Sequence, residues 1–126
     1  MAAKFEPKEP VQLNPPNHSP ISTEELAKSN GVDGRPCYVG IKGIIFDVSG
    51  KDMYLPGGSY SAFAGKDASR ALGLMSTKAE DVRPDWYDLA DKEKQTLNDW
   101  FTFFSKRYNI VGTVEGATNT EPSSSS

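Results

Sequence analysis

The residues best able to do chemistry cluster between positions 54 and 70, in the run YLPGGSYSAFAGKDASR. Two tyrosines, Tyr54 and Tyr60, lie six apart around a Pro-Gly-Gly turn. Gly57, Gly58 and Gly65 let the backbone turn sharply or approach a ligand closely. A phenol can donate or accept a hydrogen bond. The run is not a phosphate loop, because G-x-x-x-x-G-K-[ST] is absent, and so is the full dinucleotide fingerprint. Two readings stay open at this point: a turn whose tyrosine rings pack on the core, or a binding site.

Other candidates are thinner. Nucleophilic catalysis by Ser or Cys needs a nearby base, and the only histidine, His18, sits in the proline-rich N-terminal stretch. Cys37 opens an expected strand and reads as a small hydrophobe. One cysteine and one histidine exclude most zinc sites, and a lone cysteine excludes an internal disulfide framework. Asp67 reads as a helix cap, and Asp85 and Asp88 as loop and cap residues beside Trp86-Tyr87. Glu24 and Glu25 read as solubilising charge. Near the C-terminus, Lys106-Arg107-Tyr108 closes the longest helical pattern. Cations there suit a helix C-terminus, and equally the carboxylates of a ligand. No set of residues supports an enzymatic reaction.

These residues must be positioned by a single small domain. The chain has 126 residues, 37% hydrophobic and 25% charged, with a net charge of −3. That supports one core but not two. Residues 1–19 read as a flexible Pro-rich arm, since five of the nine prolines fall in the first 20 positions and favour extended conformations. Residues 115–126 read as a disordered Ser-rich tail. The domain is therefore expected over residues 20–114, and it carries a net charge of only −1. Nothing basic enough for nucleic acid is visible. No apolar run approaches the roughly 18 residues that span a bilayer, and the N-terminus lacks a secretory h-region. A cytoplasmic protein is expected.

Within the domain, Ser22 and Glu25 have capping-box spacing, which predicts a helix from about Thr23 to Ser29. Val39 and Ile41, then Ile44, Phe46 and Val48, alternate around Lys42-Gly43, which predicts a β-hairpin. A helical turn is expected over Ser59–Ala64, a helix over Ala68–Leu74 and a loop over 76–85. Leu97, Trp100, Phe101, Phe104 and Tyr108 form an apolar stripe on a helix running from Glu93 to Tyr108. Ile110, Val111 and Val114 suit a final strand. Short helices around a small β-sheet give an α+β domain.

The segments ISTEELAKSNGVDGRPCYVGIKGIIFDVS, MYLPGGSYSAFAGKDASRALG and LNDWFTFFSKRYNIVG together resemble the membrane-associated progesterone receptor (MAPR) family, within the cytochrome b5-like haem/steroid-binding superfamily. The resemblance covers roughly residues 20–114. The acidic segment EDVRPDWYDLADKEK is similar to fungal members without a membrane anchor. The resemblance implies a b5-like α+β fold that binds haem b (iron protoporphyrin IX). Cytochrome b5 holds its iron between two histidines, which this chain cannot supply. The family's tyrosinate axial ligand falls on Tyr60. Tyr54 matches its other pocket tyrosine and Tyr108 the late tyrosine supporting the ligand. Arg107 stands where lysine is frequent, beside Lys106, and Asp67 is the acidic residue of the FAGKDASR segment. Leu55 replaces a usual glycine and is expected to narrow the pocket mouth or alter its self-association surface.

What the resemblance implies about function is a non-enzymatic haem protein that supports or regulates cytochrome P-450 enzymes of sterol metabolism. It also implies a haem-dependent homodimer and recruitment to the endoplasmic reticulum through partners. The alternatives are a steroid- or small-lipid-binding protein using the same pocket, or a b5-like electron-transfer component, which the missing histidines disfavour.

Overall fold

The computed structural model describes residue 15 and residues 17–117. The other residues of the expected arm and tail lie outside the described residues.

The hairpin forms as the alternation predicts. Strands β2 (Tyr38–Ile41) and β3 (Ile44–Asp47) pair antiparallel, with Ile41 opposite Ile44. Lys42 and Gly43 both adopt positive φ, at 53° and 78°, as a two-residue type I′ turn requires. β5 (Asn109–Val114) pairs antiparallel with β3, with a register shift at Ile45/Phe46. Two short edge strands finish the sheet. β1 (Pro20–Ile21) runs parallel to β5, and β4 (Lys66–Asp67) parallel to β2. The order is β1-β5-β3-β2-β4, a mixed sheet with three helices and therefore α+β.

β1 and β4 carry no alternating pattern, and only their long-range pairing makes them strands. The same edge also holds the residues that precede β1. Asn17 N–H donates to Ile110 O at 3.0 Å, and the Thr113 amide and hydroxyl donate to Ser19 O and His18 O. Residues 17–19, expected within the flexible arm, therefore run along β5, and at the other end the Glu115 amide donates to Ile21 O of β1.

Helix α1 spans Thr23–Lys28, and Ser22 Oγ accepts the Glu25 amide at 3.0 Å. The Glu25 carboxylate turns instead to Lys28, 3.8 Å away on an exposed face, a pair worth little. Helix α3 spans Asp91–Arg107, beginning two residues before the expected Glu93. The Glu93 carboxylate accepts the Ala90 amide at 3.0 Å, so the reaching-back half of a capping box forms without a hydroxyl at the N-cap. Its stripe is the core: Leu97, Phe104 and Tyr108 are buried, and Phe104 meets Phe46, Tyr54, Trp100 and Tyr108 edge-on.

Helix α2 spans Ser69–Leu74 and packs on α3. The expected loop over 76–85 contains one 3-10 turn, Ala79–Asp81. The expected turn over 59–64 is a 3-10 turn at Ser61–Phe63. No helix among the described residues is long and apolar enough to cross a membrane.

Candidate functional site

The loop from Lys51 to Ala64 brings the two tyrosines together. Tyr54 ends a 3-10 turn over Asp52–Tyr54. The chain then folds back, with Gly58 N–H donating to Leu55 O and Tyr60 N–H to Met53 O, at 2.8 and 2.7 Å. Position 58 must be glycine: a Cβ there would sit 2.3 Å from Asp52 O. The closed loop sets the Tyr54 and Tyr60 ring centroids 5.7 Å apart. Six residues of sequence separation become side-chain contact.

The two rings differ in environment. Tyr54 is 2% exposed, in the core beside Phe104 and Tyr108. Tyr60 is half-buried, stacked on Phe63 with centroids 5.5 Å apart and edge-on to Trp100 at 6.4 Å. It lines a small apolar depression of about 60 Å³ with Phe63, Leu72, Met75 and Trp100. That space adjoins a second depression of about 220 Å³ through their shared residues Met75 and Trp100, and Phe103 lies at its far side. Both are smaller than the roughly 300–1,000 Å³ of an enclosed ligand pocket. A flat apolar group held here would keep part of its surface open. Met75, 74% exposed, stands at the rim.

The electrostatics separate the tyrosines further. Burial pushes the Tyr54 phenol far up, and the neighbouring Tyr108 and Tyr60 push it the same way. Tyr54 donates a hydrogen bond to the Tyr108 hydroxyl, which raises Tyr54 and lowers Tyr108. Burial still moves Tyr108 up on balance, against the opposing charge of Arg107. Tyr54 and Tyr108 are therefore neutral, buried and paired with each other. The partially exposed phenol at the mouth belongs to Tyr60.

The remaining expected site residues divide. The Arg107 guanidinium lies 4.4 Å over the Phe103 ring, at the groove wall, and its charge reaches the tyrosine cluster. Lys106 is half-buried on the last turn of α3. Asp67 is elsewhere. It is buried in β4 and lines a different cavity. Its Oδ2 accepts the Gly43 amide at 3.0 Å, and its Oδ1 accepts the Ser69 amide and hydroxyl at 3.0 and 2.6 Å. Asp67 thus caps α2 as its sequence position suggests, and it also ties the helix to the hairpin turn through Gly43, a role FAGKDASR does not reveal in sequence. Leu55 packs beside Gly31 rather than lining either depression, so the expected narrowing of the mouth is not what its side chain does.

Two features escaped the sequence reading. Lys42 is 2% exposed; its ammonium donates to Asn98 Oδ1 and lies 4.8 Å over the Trp86 ring. A lysine in a tight turn carries no mark of such burial. Asp85 and Asp88, read as loop and cap residues, both receive Arg70, with Asp88 bidentate at 2.7 and 3.1 Å. Arg70's hydrogen bonds hold the Asp88 carboxyl below its usual range. Cys37 is fully buried, and burial raises its thiol, with Asp47 adding to the effect. It is not a reactive thiolate.

The donor set can be tested against an iron porphyrin. His18 is exposed beside β5, and no group of three His, Cys, Asp or Glu among the described residues could hold a metal ion. A bis-imidazole site is ruled out, and a single phenolate oxygen at an apolar, aromatic mouth fits the group.

Residues 22–110 match the family described as Cytochrome b5-like Heme/Steroid binding domain. The chain is 55% identical over 96 residues to Probable steroid-binding protein 3 of Arabidopsis thaliana, covering 75% of this chain and 96% of that protein. It is 39% identical over 119 residues to Cytochrome P450 regulator dap1 of Schizosaccharomyces pombe, covering 87% and 68%. A solved Arabidopsis thaliana structure described as having a cytochrome b5 like fold superposes with TM-score 0.70 at 51% identity, covering 79% of this chain and 95% of that one. The chain belongs to the cytochrome b5-like heme/steroid-binding family, in its MAPR branch. It spans about half the length of the Arabidopsis relative named Membrane steroid-binding protein 2, at 44% identity.

Proposed function

We infer that this chain is a non-enzymatic haem b protein whose iron is held by the Tyr60 phenolate. One observation carries the reading: of the three clustered tyrosines, Tyr60 alone presents its ring at an apolar mouth, while Tyr54 and Tyr108 are buried and bonded to each other. A free phenol loses its proton near pH 10, but a ferric cation replaces the proton and allows phenolate at neutrality. Arg107 and Lys106 favour an anion nearby. The bound iron would supply visible absorption and a ferric centre of low potential, because an anionic oxygen ligand favours Fe(III). Phe63, Trp100 and Phe103 supply apolar walls. Tyr54 and Tyr108 hold the Tyr60 loop against α3. Asp67, counted among the binding residues by resemblance, supports the site through the hairpin turn.

A protein of this kind is a poor electron shuttle, since its ligand strongly favours one oxidation state. It fits a role as activator, stabiliser or haem donor to cytochrome P-450 enzymes of sterol metabolism. The relative named as a P450 regulator supports that role. It would act in the cytoplasm or at the endoplasmic reticulum membrane through such partners. The exposed Met75 and the open mouth offer a surface for a haem-dependent homodimer.

Titration of the full chain with hemin tests the ligand. Wild type is expected to give a saturable Soret band typical of five-coordinate ferric iron, and Tyr60→Phe to lose it or shift it. Dithionite should release haem from wild type. An unchanged spectrum in Tyr60→Phe would rule out the phenolate ligand.

A further inference from the structure

Helix α2 ends on a residue that the backbone there does not favour. The Met75 amide donates to Leu72 O at 3.2 Å and the Ser76 amide to Ala71 O at 2.8 Å, the bond pattern of a Schellman turn. Such a turn places its closing residue in the left-handed region, and Met75 stands there with φ 54° and ψ 46°. Glycine suits this conformation, because a Cβ crowds the following carbonyl oxygen. The core does not offset that strain. Met75 is 74% exposed, the most exposed large apolar side chain among the described residues.

The side chain borders the candidate site instead. Met75 and Trp100 are the residues common to both depressions beside Tyr60, one at the end of α2 and the other on α3. Met75 therefore stands where the two spaces join, and a flat apolar ligand lying from Tyr60 towards Phe103 crosses that place. Local strain kept without a packing gain points to a contact made only when ligand is present. Methionine suits such a contact, being unbranched, polarizable and attracted to aromatic groups. Its sulfur adds a second property. Hydrogen peroxide transfers one oxygen atom to the thioether, and its other oxygen leaves as water with both hydrogens. Sulfur loses two electrons, the peroxide gains them, and the polar sulfoxide formed is reduced back by sulfoxide reductases. A sulfoxide dipole pressed against an apolar ring loses hydration without gaining a partner. Met53, 46% exposed, lines neither depression and is an internal control.

We propose that Met75 is an oxidation-sensitive contact residue of the Tyr60 site: its thioether retains a flat porphyrin there, and its sulfoxide, formed by peroxide, lets the porphyrin go. This regulation rests on hemin being held at the Tyr60 mouth, but not on which atom ligates the iron.

The test treats the full chain, free of hemin, with hydrogen peroxide, removes the peroxide, maps sulfoxide by peptide mass spectrometry and titrates the product with hemin. Sulfoxide is expected at Met75 ahead of Met53, with hemin affinity weakened on the order of tenfold. Methionine sulfoxide reductases A and B should restore the original Kd. Met53→Leu should respond to peroxide as wild type does. Met75→Leu should bind hemin like the untreated chain and ignore peroxide. Met75→Gly should unfold at a higher urea concentration than wild type yet hold hemin on the order of tenfold less tightly, a split that a purely structural side chain would not produce. The proposal is overturned by an unchanged Kd once Met75 is fully oxidised, by peroxide sensitivity that persists in Met75→Leu, or by wild-type hemin affinity in Met75→Gly. An untreated wild type that takes up no hemin would overturn both this proposal and the haem reading. An unchanged spectrum in Tyr60→Phe, with Met75 oxidation still weakening uptake, would sink the phenolate ligand alone.

Discussion

Three phenols of the same ordinary pKa are set to different tasks by burial. Tyr54 and Tyr108 are raised chiefly by desolvation. The unfolded chain ionises these side chains first as pH climbs past about 10, while the folded chain keeps their protons. The stability they contribute is whole below that pH and declines above it, as the unfolded state sheds protons that the folded state retains. Urea unfolding of wild type should therefore lose stability between about pH 9 and pH 11. Tyr54→Phe should flatten the decline, because it removes the more strongly raised group. An equally steep decline in that variant would contradict the assignment. Tyr60 is set apart by position: it is the phenol at the mouth, and its replacement is expected to change the hemin spectrum while leaving the core intact.

Among the elements, the hairpin turn and α2 depend on one carboxylate. Asp67 accepts three hydrogen bonds from Gly43 and Ser69, and Ser69 Oγ in turn accepts the Lys42 amide at 2.7 Å. Removing the acceptor strands buried donors on both elements, each costing about 1–3 kcal/mol. Asp67→Ala should cost about 2–4 kcal/mol in urea unfolding, and Asp67→Asn less, since one oxygen remains to accept. At a temperature where both variants stay folded, their hemin response should resemble wild type, because Asp67 lines a different cavity from Tyr60. Loss of haem uptake in a folded Asp67→Asn would return Asp67 to direct binding. Arg70 acts similarly at another junction, tying α2 to the 85–88 loop through Asp85 and Asp88. Those partners are exposed enough that water carries much of the charge interaction.

At the scale of the whole molecule, the depressions around Tyr60 are shallow, and the apolar surface beside them includes Met75 at 74% exposure. A flat cofactor seated there adds its own open face to that surface. Sedimentation at matched concentration should show a monomer for the apo chain and a dimer for the hemin-loaded chain. Met75→Lys, at hemin concentrations that saturate the variant, should hold the loaded chain monomeric. Equal masses with and without hemin would count against the dimer.

Local pattern was enough for the hairpin, the Ser22 cap and the aromatic stripe of α3. Each depends on neighbours within a turn or two, and such signals survive without knowledge of the fold. The remainder needed the chain to close. β1 and β4 are two residues long and are strands only because distant partners pair with them. Lys42 is buried only because α3 and Trp86 come over the turn. Asp67 lines a cavity other than the Tyr60 depressions because β4 places its carboxylate under the hairpin turn. Sequence carries residue chemistry and short-range periodicity. Long-range pairing decides which of those residues share a surface.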